Sequence, residues 1–474
     1  MGRTLQRSHH SARARLLALF VVVAVVLGGG GSPNPSTEVI LEFAFAAAAL
    51  AWLWLPVDTT GKAFSADRLV LVLMALVLIV PVVQLVPLPP SIWTALPGRS
   101  NELAALSLVG EQQSWRPIAL SPSRTLASLL ATLPPLFCLY AVSRLALKDR
   151  RLILGAIVLM AVVTSLIGVF QLTDQGQGLN LYRDHSAGWV QGFQANRNAA
   201  ADLLLIGIIA LAVIVAPYVG PERQRKPMQL DRRTFTILSA GVAFLLLVAT
   251  VMTGSRAGTT LILVAAAAAV AVLLLARQQS AGASSWRPVL VAIVVVALLG
   301  LVFALLARFT ALGQVSARFA EKESRTEIWK DAWFALKQYW PTGFGMGGFE
   351  TAILPAERLE VLGPQIPNRA HNDYLEIGLE AGVLGVAMVV MAAVVCLSML
   401  WRSWRRAPAQ RQQVIFGTGA LLVIALHSVV DYPVGRFRLG LSPGVLPKIR
   451  KMAAAGLQYR SLLYADVPIW PDNL

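Results

Sequence analysis

The sequence predicts an all-α fold, a polytopic transmembrane helical bundle of about 11–12 spans with one large external loop. Three observations predict it. Of the 474 residues, 56% are hydrophobic and 14% are charged, whereas a soluble domain carries about 25% charge. Apolar runs long enough to cross a bilayer, about 20 residues each, recur along the chain. Lysine and arginine collect at alternate joints between those runs, as the positive-inside rule requires of a multi-pass protein.

The composition excludes several classes. A mean hydropathy of +0.64 does not suit a cytosolic enzyme, and such a chain could not stay solvated as a disordered one. The net charge of +16 would suggest nucleic acid in a soluble protein. In a membrane protein it follows from the charge bias of the joints, so no nucleic-acid partner is expected. The two cysteines, Cys138 and Cys396, both lie in apolar runs and are expected to be small hydrophobes rather than a disulfide.

Eleven spans are expected: 14–31, 38–56, 68–88, 125–146, 151–172, 198–219, 234–253, 257–276, 288–308, 373–400 and 413–431. The first has a short core after Arg13 and Arg15. That pattern also fits a signal peptide, but no small-x-small cleavage site follows, so a retained anchor is expected. If the N-terminus is cytoplasmic, the inner joints carry Arg144, Lys148, Arg150 and Arg151, then Arg223, Arg225, Lys226, Arg232 and Arg233. Arg277 and Arg287 follow, then Arg402, Arg405, Arg406 and Arg411. The short outer joints are poor in both residues.

Two long joints, about 89–124 and 309–372, then lie outside. The second contains Ser324-Arg325-Thr326-Glu327, a capping-box pattern. A helix is expected to follow it and to end before Pro341. Ile328, Trp329, Ala332, Trp333, Leu336 and Trp340 share one face, and Lys330, Asp331, Lys337 and Gln338 the other. Such a helix either lies along the membrane surface or packs on its own loop; the tryptophans favour the surface.

The midplanes of the spans are nearly free of ionisable residues, unlike those of a carrier or pump. Polar residues collect instead at the outer helix ends: Gln194-Ala195-Asn196-Arg197-Asn198, Thr253-Gly254-Ser255-Arg256-Ala257-Gly258, Arg325, Arg369-Ala370-His371-Asn372-Asp373, and His427 with Asp431. Arg197 and Arg256 open spans whose N-termini face outward, and Arg325 opens the loop helix. Unsatisfied N–H groups and the helix dipole favour anions there. Guanidinium forks suit the oxygens of a phosphate. A single such arginine merely anchors a helix at the headgroups; three with a histidine on one face point to a multiply charged anion.

Neighbouring cations would keep His371 neutral, and neutral imidazole can take a proton from a hydroxyl. Zinc is a weak alternative, because only Asp373 lies near in sequence and no other His or Cys has ligand-like spacing. No Asp-x-Asp occurs that would hold Mg²⁺ for a sugar nucleotide, so no metal or cofactor is expected. Glu376 and Glu380 lie one helical turn apart. They form an acid pair, or they favour the positive helix end or meet a basic neighbour; the second reading is preferred. Gly343-Phe344-Gly345-Met346-Gly347-Gly348 has no preceding strand. It is expected to be a flexible turn rather than a phosphate loop.

Taken in order, these clusters resemble the O-antigen ligase/polymerase family of bacterial envelope proteins. The matching stretches are Thr253–Gly258, Arg325–Trp333, Pro341–Phe349, the run from Ala370 to Glu376 with Glu380-Ala381-Gly382, and His427 to Pro433, within about 190–433. The His-Asn element followed by Leu-Glu and Glu-x-Gly is the most specific part. The resemblance implies a glycosyltransferase C-like enzyme of the bacterial inner membrane, independent of metal and active at the periplasmic face. Its donor would be a glycan on undecaprenyl diphosphate, and its acceptor the lipid A core (ligase) or another lipid-linked glycan (polymerase).

The resemblance carries over residue by residue. Arg256, Arg325 and, more loosely, Arg197 would bind the diphosphate, and His371 would be the catalytic base. Asn372, Asp373, Glu376, His427 and Asp431 would support them. The expected organisation is an N-terminal group of helices over 1–150 with the loop at about 89–124. The ligase-like region covers 151–433 and a basic, non-spanning tail 434–474. The tail departs from the family, which continues into another apolar helix. Two rivals are a transporter that recognises an anionic lipid-linked glycan without reacting, and a scaffold. The first is disfavoured by charge lying at one face rather than along a path. The second gives no reason for the arginines.

Overall fold

The computed structural model describes residues 10–29, 35–56, 68–173, 181, 188–219, 231–278, 325–358 and 367–431. The expected span at 288–308, the capping residue Ser324 and the tail at 434–474 lie outside them.

The chain is an all-α polytopic membrane protein. Helices α1 (Ala12–Leu27), α2 (Pro35–Trp54) and α3 (Arg68–Leu85) come first. A short connecting segment follows, with strands β1 (Pro87–Leu88) and β2 (Arg116–Pro117) enclosing α4 (Pro90–Trp93) and α5 (Ser100–Leu108). The strands are antiparallel, with Leu88 opposite Arg116. Then come α6 (Pro122–Ser143), α7 (Leu147–Thr173), α8 (Arg197–Val219), α9 (Arg232–Met252) and α10 (Arg256–Gln278). A second connecting segment holds α11 (Arg325–Tyr339) and α12 (Phe349–Ile353), and α13 (Asp373–Arg406) and α14 (Arg411–His427) complete the described bundle.

Ten of the eleven expected spans coincide with these helices to within a few residues. Among the described residues, seven helices are long and apolar enough to cross a membrane: α3, α6, α7, α8, α9, α10 and α13. Such segments must be helical, because hydrocarbon offers no partner to an unpaired peptide group.

Helix α8 is the axis of the bundle and packs against α7, α9, α10 and α14. Leu204, Leu205 and Ile209 of α8 are buried with Leu246, Leu261, Ala265 and Val423. Small residues allow the close approach. A Cβ on Gly258 of α10 would lie 2.5 Å from that of Ala201 on α8, and one on Gly419 of α14 would lie 2.7 Å from that of Ala268. A second core, of α1, α2 and α6, centres on Phe137. Its ring stands 6.1 Å from Phe20, 5.7 Å from Phe45 and 6.0 Å from Trp52, near edge-to-face in each case, the arrangement that ring quadrupoles favour.

A third core joins the second connecting segment to α13. Ala332, Ala335, Phe344, Phe349, Ile353 and Leu379 are buried together. Helix α13 is broken at Gly382, whose φ of 55° and ψ of −141° are non-helical, a region open essentially to glycine alone. The break admits the glycine-rich loop: the Val383 amide donates to the Pro341 carbonyl at 2.8 Å, and the Gly345 amide to the Glu380 carbonyl at 2.9 Å. Gln84 of α3 accepts from the Met346 amide and donates to the Glu380 carbonyl, both at 2.9 Å.

This corrects the expectation of a flexible turn at 343–348. The segment from Gly343 to Met346 is buried, and its glycines serve close approach. A Cβ on Gly343 would strike the Glu380 carbonyl, and one on Gly345 would lie 2.7 Å from Ala119.

The faces of α11 also differ from the expected ones. Asp331, Ala332, Ala335 and Tyr339 are buried, while Trp333 and Trp340 are exposed. Asp331 can turn inward because Arg358 donates to it at 2.6 Å and neutralises it. The helix therefore packs on its own loop and on α13 and turns part of its tryptophan face outward.

Candidate functional site

Several helix ends meet at one end of the bundle. The Val190 amide donates to the Met252 carbonyl at 3.0 Å, which joins the approach to α8 with the end of α9. The Asp373 amide donates to the Ser428 carbonyl at 2.9 Å, which joins the start of α13 with the end of α14. Asn198, in the first turn of α8, donates through Nδ2 to Asp431 Oδ2 at 2.6 Å and ties those two groups together.

His371 stands at this junction. Its Nδ1 is 3.2 Å from Asp431 Oδ1, and the Asp431 side chain is fully enclosed. In the neutral tautomer with its hydrogen on Nδ1, His371 donates to Asp431 and keeps Nε2 as the basic nitrogen. Among the described residues His371 is the only non-glycine with positive φ, at 52°. Such a backbone costs about 1–3 kcal/mol and persists only where its surroundings fix it.

Those surroundings are explicit. Trp329 Nε1 donates to the Ala370 carbonyl at 2.8 Å, and the Ala370 amide donates to Glu376 Oε2 at 3.0 Å. Asn372 caps α13 by accepting from the Leu375 amide at 3.0 Å. The histidine is thus clamped on both sides in sequence and faces the carboxylate from a third element.

The arginines are placed by the same helix ends. Arg325 opens α11 and donates to the Val430 carbonyl, next to Asp431. Arg197 opens α8, with its guanidinium carbon 5.5 Å from the centre of the Trp189 ring, a cation–π arrangement. That ring packs where Gly254 lacks a side chain. Gly254 leads to Ser255, whose Oγ accepts from the Gly258 amide at 3.0 Å and caps the first turn of α10. Arg256 therefore enters beside α8, and Arg197, Arg256, Arg325 and His371 stand on neighbouring helix ends.

The remaining expected residues divide. Glu376 and Glu380 are not an acid pair. Glu376 accepts from Arg369 at 2.7 Å, and Glu380 accepts from the Phe349 amide at 3.1 Å. Glu376 thus meets a basic neighbour and also holds the Ala370 amide, whereas Glu380 holds a loop amide, a partner the sequence did not suggest. Asp373 accepts from Ser428 Oγ at 2.9 Å. His427 does not face the other site residues; it pairs inside the bundle with Asp202. Sequence reasoning missed Asp202 and Ser428. The available signal for Asp202 was an acid within an apolar span, one turn past Asn198.

A groove of about 1,080 Å³ opens next to Asn372 between α11 and α13. Trp329, Trp333, Trp340 and Tyr374 line it with Lys330 and Lys337. Among the described residues no three His, Cys, Asp or Glu side chains are grouped as a metal site would require.

The fold and the site together define a polytopic membrane protein with a histidine–carboxylate pair and arginines at one end of its bundle. A family model described as O-antigen ligase matches residues 241–390 of the 474, which bears out the resemblance seen in the sequence. The matched stretch holds Arg256, Arg325 and His371; Arg197 precedes it, and His427 and Asp431 follow it. Comparison with curated proteins gives no match.

Proposed function

We propose that the chain is a glycosyltransferase that moves a glycan from undecaprenyl diphosphate to an acceptor hydroxyl, at the periplasmic face of a bacterial inner membrane. The observation that carries this reading is the His371–Asp431 contact of 3.2 Å beside an arginine held by the next carbonyl, that of Val430. A base and an anion grip then lie within one constellation, as transfer from a diphosphate requires.

In the proposed step, the acceptor oxygen bonds to the anomeric carbon as the bond from that carbon to the diphosphate oxygen breaks. The electron pair leaves with the polyprenyl diphosphate. The hydroxyl proton passes to Nε2 of His371, and Asp431 stabilises the imidazolium that forms. Arg256, Arg325 and Arg197 neutralise the charge growing on the departing diphosphate, in the role that a metal ion plays elsewhere. A single in-line displacement inverts the anomeric centre. The charge bias of the joints supports a periplasmic orientation for this end.

The acceptor is the lipid A core in a ligase and a second lipid-linked glycan in a polymerase. The same base and grip serve either hydroxyl. The test is glycan transfer by purified protein from a lipid-diphosphate donor in EDTA. Transfer with inversion supports the reading. Movement of labelled donor across proteoliposomes with no new glycosidic bond supports a transporter instead.

A further inference from the structure

One buried titratable pair has no part in the step above. Asp202 Oδ1 of α8 lies 2.5 Å from Nδ1 of His427, the last residue of α14, across 225 residues of chain. His427 has no exposed surface. Its Nε2 is enclosed and, among the described residues, has no hydrogen-bond partner. A buried imidazole with one nitrogen unsatisfied is a poor choice for stability, and an apolar residue of similar size would pack there without that penalty. The contact made by Nδ1 must therefore serve something else.

The chain just after it shows what. The His427 carbonyl accepts from the Val430 amide at 3.0 Å and from the Asp431 amide at 2.9 Å, closing a tight turn. That turn presents the Val430 carbonyl to Arg325 and the Asp431 carboxylate to His371. Helix α8 grips it at two points one helical turn apart, through Asn198 to Asp431 and through Asp202 to His427, the spacing at which side chains share a helix face.

We infer that Asp202 and His427 are positioning residues for glycan transfer: their contact anchors the turn at 427–431 to α8 and so fixes the angle at which Asp431 meets His371. The inference rests on the transferase reading above. It concerns orientation, so the effect falls on the rate of the bound complex. Arg197 and Arg256 open α8 and α10 independently of this turn, so most of the donor grip remains.

The experiment measures kcat, KM for the lipid-diphosphate donor, and Tm in the full-length protein. The double variant Asp202→Leu/His427→Leu removes both buried polar groups. It is expected to keep or raise Tm, as replacement of a buried polar pair often does. Its kcat should fall about 10–100-fold, the scale of a small misplacement of a catalytic group, with KM within about threefold. Asp202→Ala should lose kcat in the same way, and Asp202→Asn, which keeps an acceptor for Nδ1, should recover most of it.

Wild-type kcat in the double variant overturns the inference, as does a fall in kcat matched by a fall in Tm. If the double variant does not fold, the milder pair decides: equal activity of Asp202→Ala and Asp202→Asn overturns it. A His371→Ala protein run in parallel separates the two levels. If it transfers at the wild-type rate, the base role of His371 fails and the positioning role with it. If the wild type itself forms no glycosidic bond, the transferase reading fails. If His371→Ala is inactive while the double variant is fully active, only the positioning role fails.

Discussion

His371 and Asp431 meet at 3.2 Å although sixty residues separate them in sequence. One approaches from the segment just before α13 and the other from the turn after α14, and Asn198 of α8 holds the second oxygen of the carboxylate at 2.6 Å. Three parts of the chain thus agree on the orientation of a single imidazole.

Arginine geometry gives the first prediction. Arg325→Ala and Arg256→Ala should each lower kcat/KM for the donor by roughly 10–100-fold, since a hydrogen bond to a charged group contributes about 1.5–3 kcal/mol. Lysine at either position should restore only part, because it cannot donate as a planar fork. Steady-state kinetics of the four variants check this; full recovery by lysine would show that charge alone suffices.

The break in α13 gives the second. Gly382→Ala places a Cβ against the Pro341 carbonyl and holds a non-glycine residue at φ 55°. The backbone cost alone is about 1–3 kcal/mol, and the clash adds to it. Thermal unfolding in detergent should show a clear loss of Tm, whereas Gly155→Ala, where a Cβ meets nothing within 4 Å, should not.

The segment that holds α11 gives a prediction about pH. Arg358 and then Lys330 hold the Glu327 carboxyl down to about 2, from an ordinary 4.5. A carboxyl lowered in the folded state stabilises it above the unfolded value and loses that contribution as pH falls through the folded one. The support of Glu327 for α11 is therefore complete above about 4.5 and lost between there and about 2. Arg358→Ala should move the Glu327 titration up towards its ordinary value, observable by NMR of labelled glutamate carboxyls. An unchanged midpoint would contradict the pairing.

Much of this architecture was legible in the sequence, for physical reasons. Hydrocarbon allows a helix and little else, so apolar runs such as 198–219 and 373–400 fixed both the identity and the ends of α8 and the first part of α13. Arg197, Arg256 and His371 stood out because they open helices on the end whose short joints are otherwise poor in cations. The pairing of His371 with Asp431 was not legible, since neither residue specifies its partner across sixty positions. Asp202 escaped notice because one carboxylate in an apolar helix gives no sign of the histidine that meets it 225 residues later. The glycine run at 343–348 misled because glycine marks freedom in a turn and close approach in a core equally well. The inward turn of Asp331 depended on Arg358, which no helical periodicity could supply.

The central claim is that His371 takes the proton of the acceptor hydroxyl, and single-turnover transfer from a preloaded lipid-diphosphate donor tests it most directly. His371→Ala should bind donor as the wild type does and transfer its glycan about 10²–10⁴-fold more slowly, with Asp431→Asn slowed in the same direction. Transfer by His371→Ala at the wild-type rate would contradict the account.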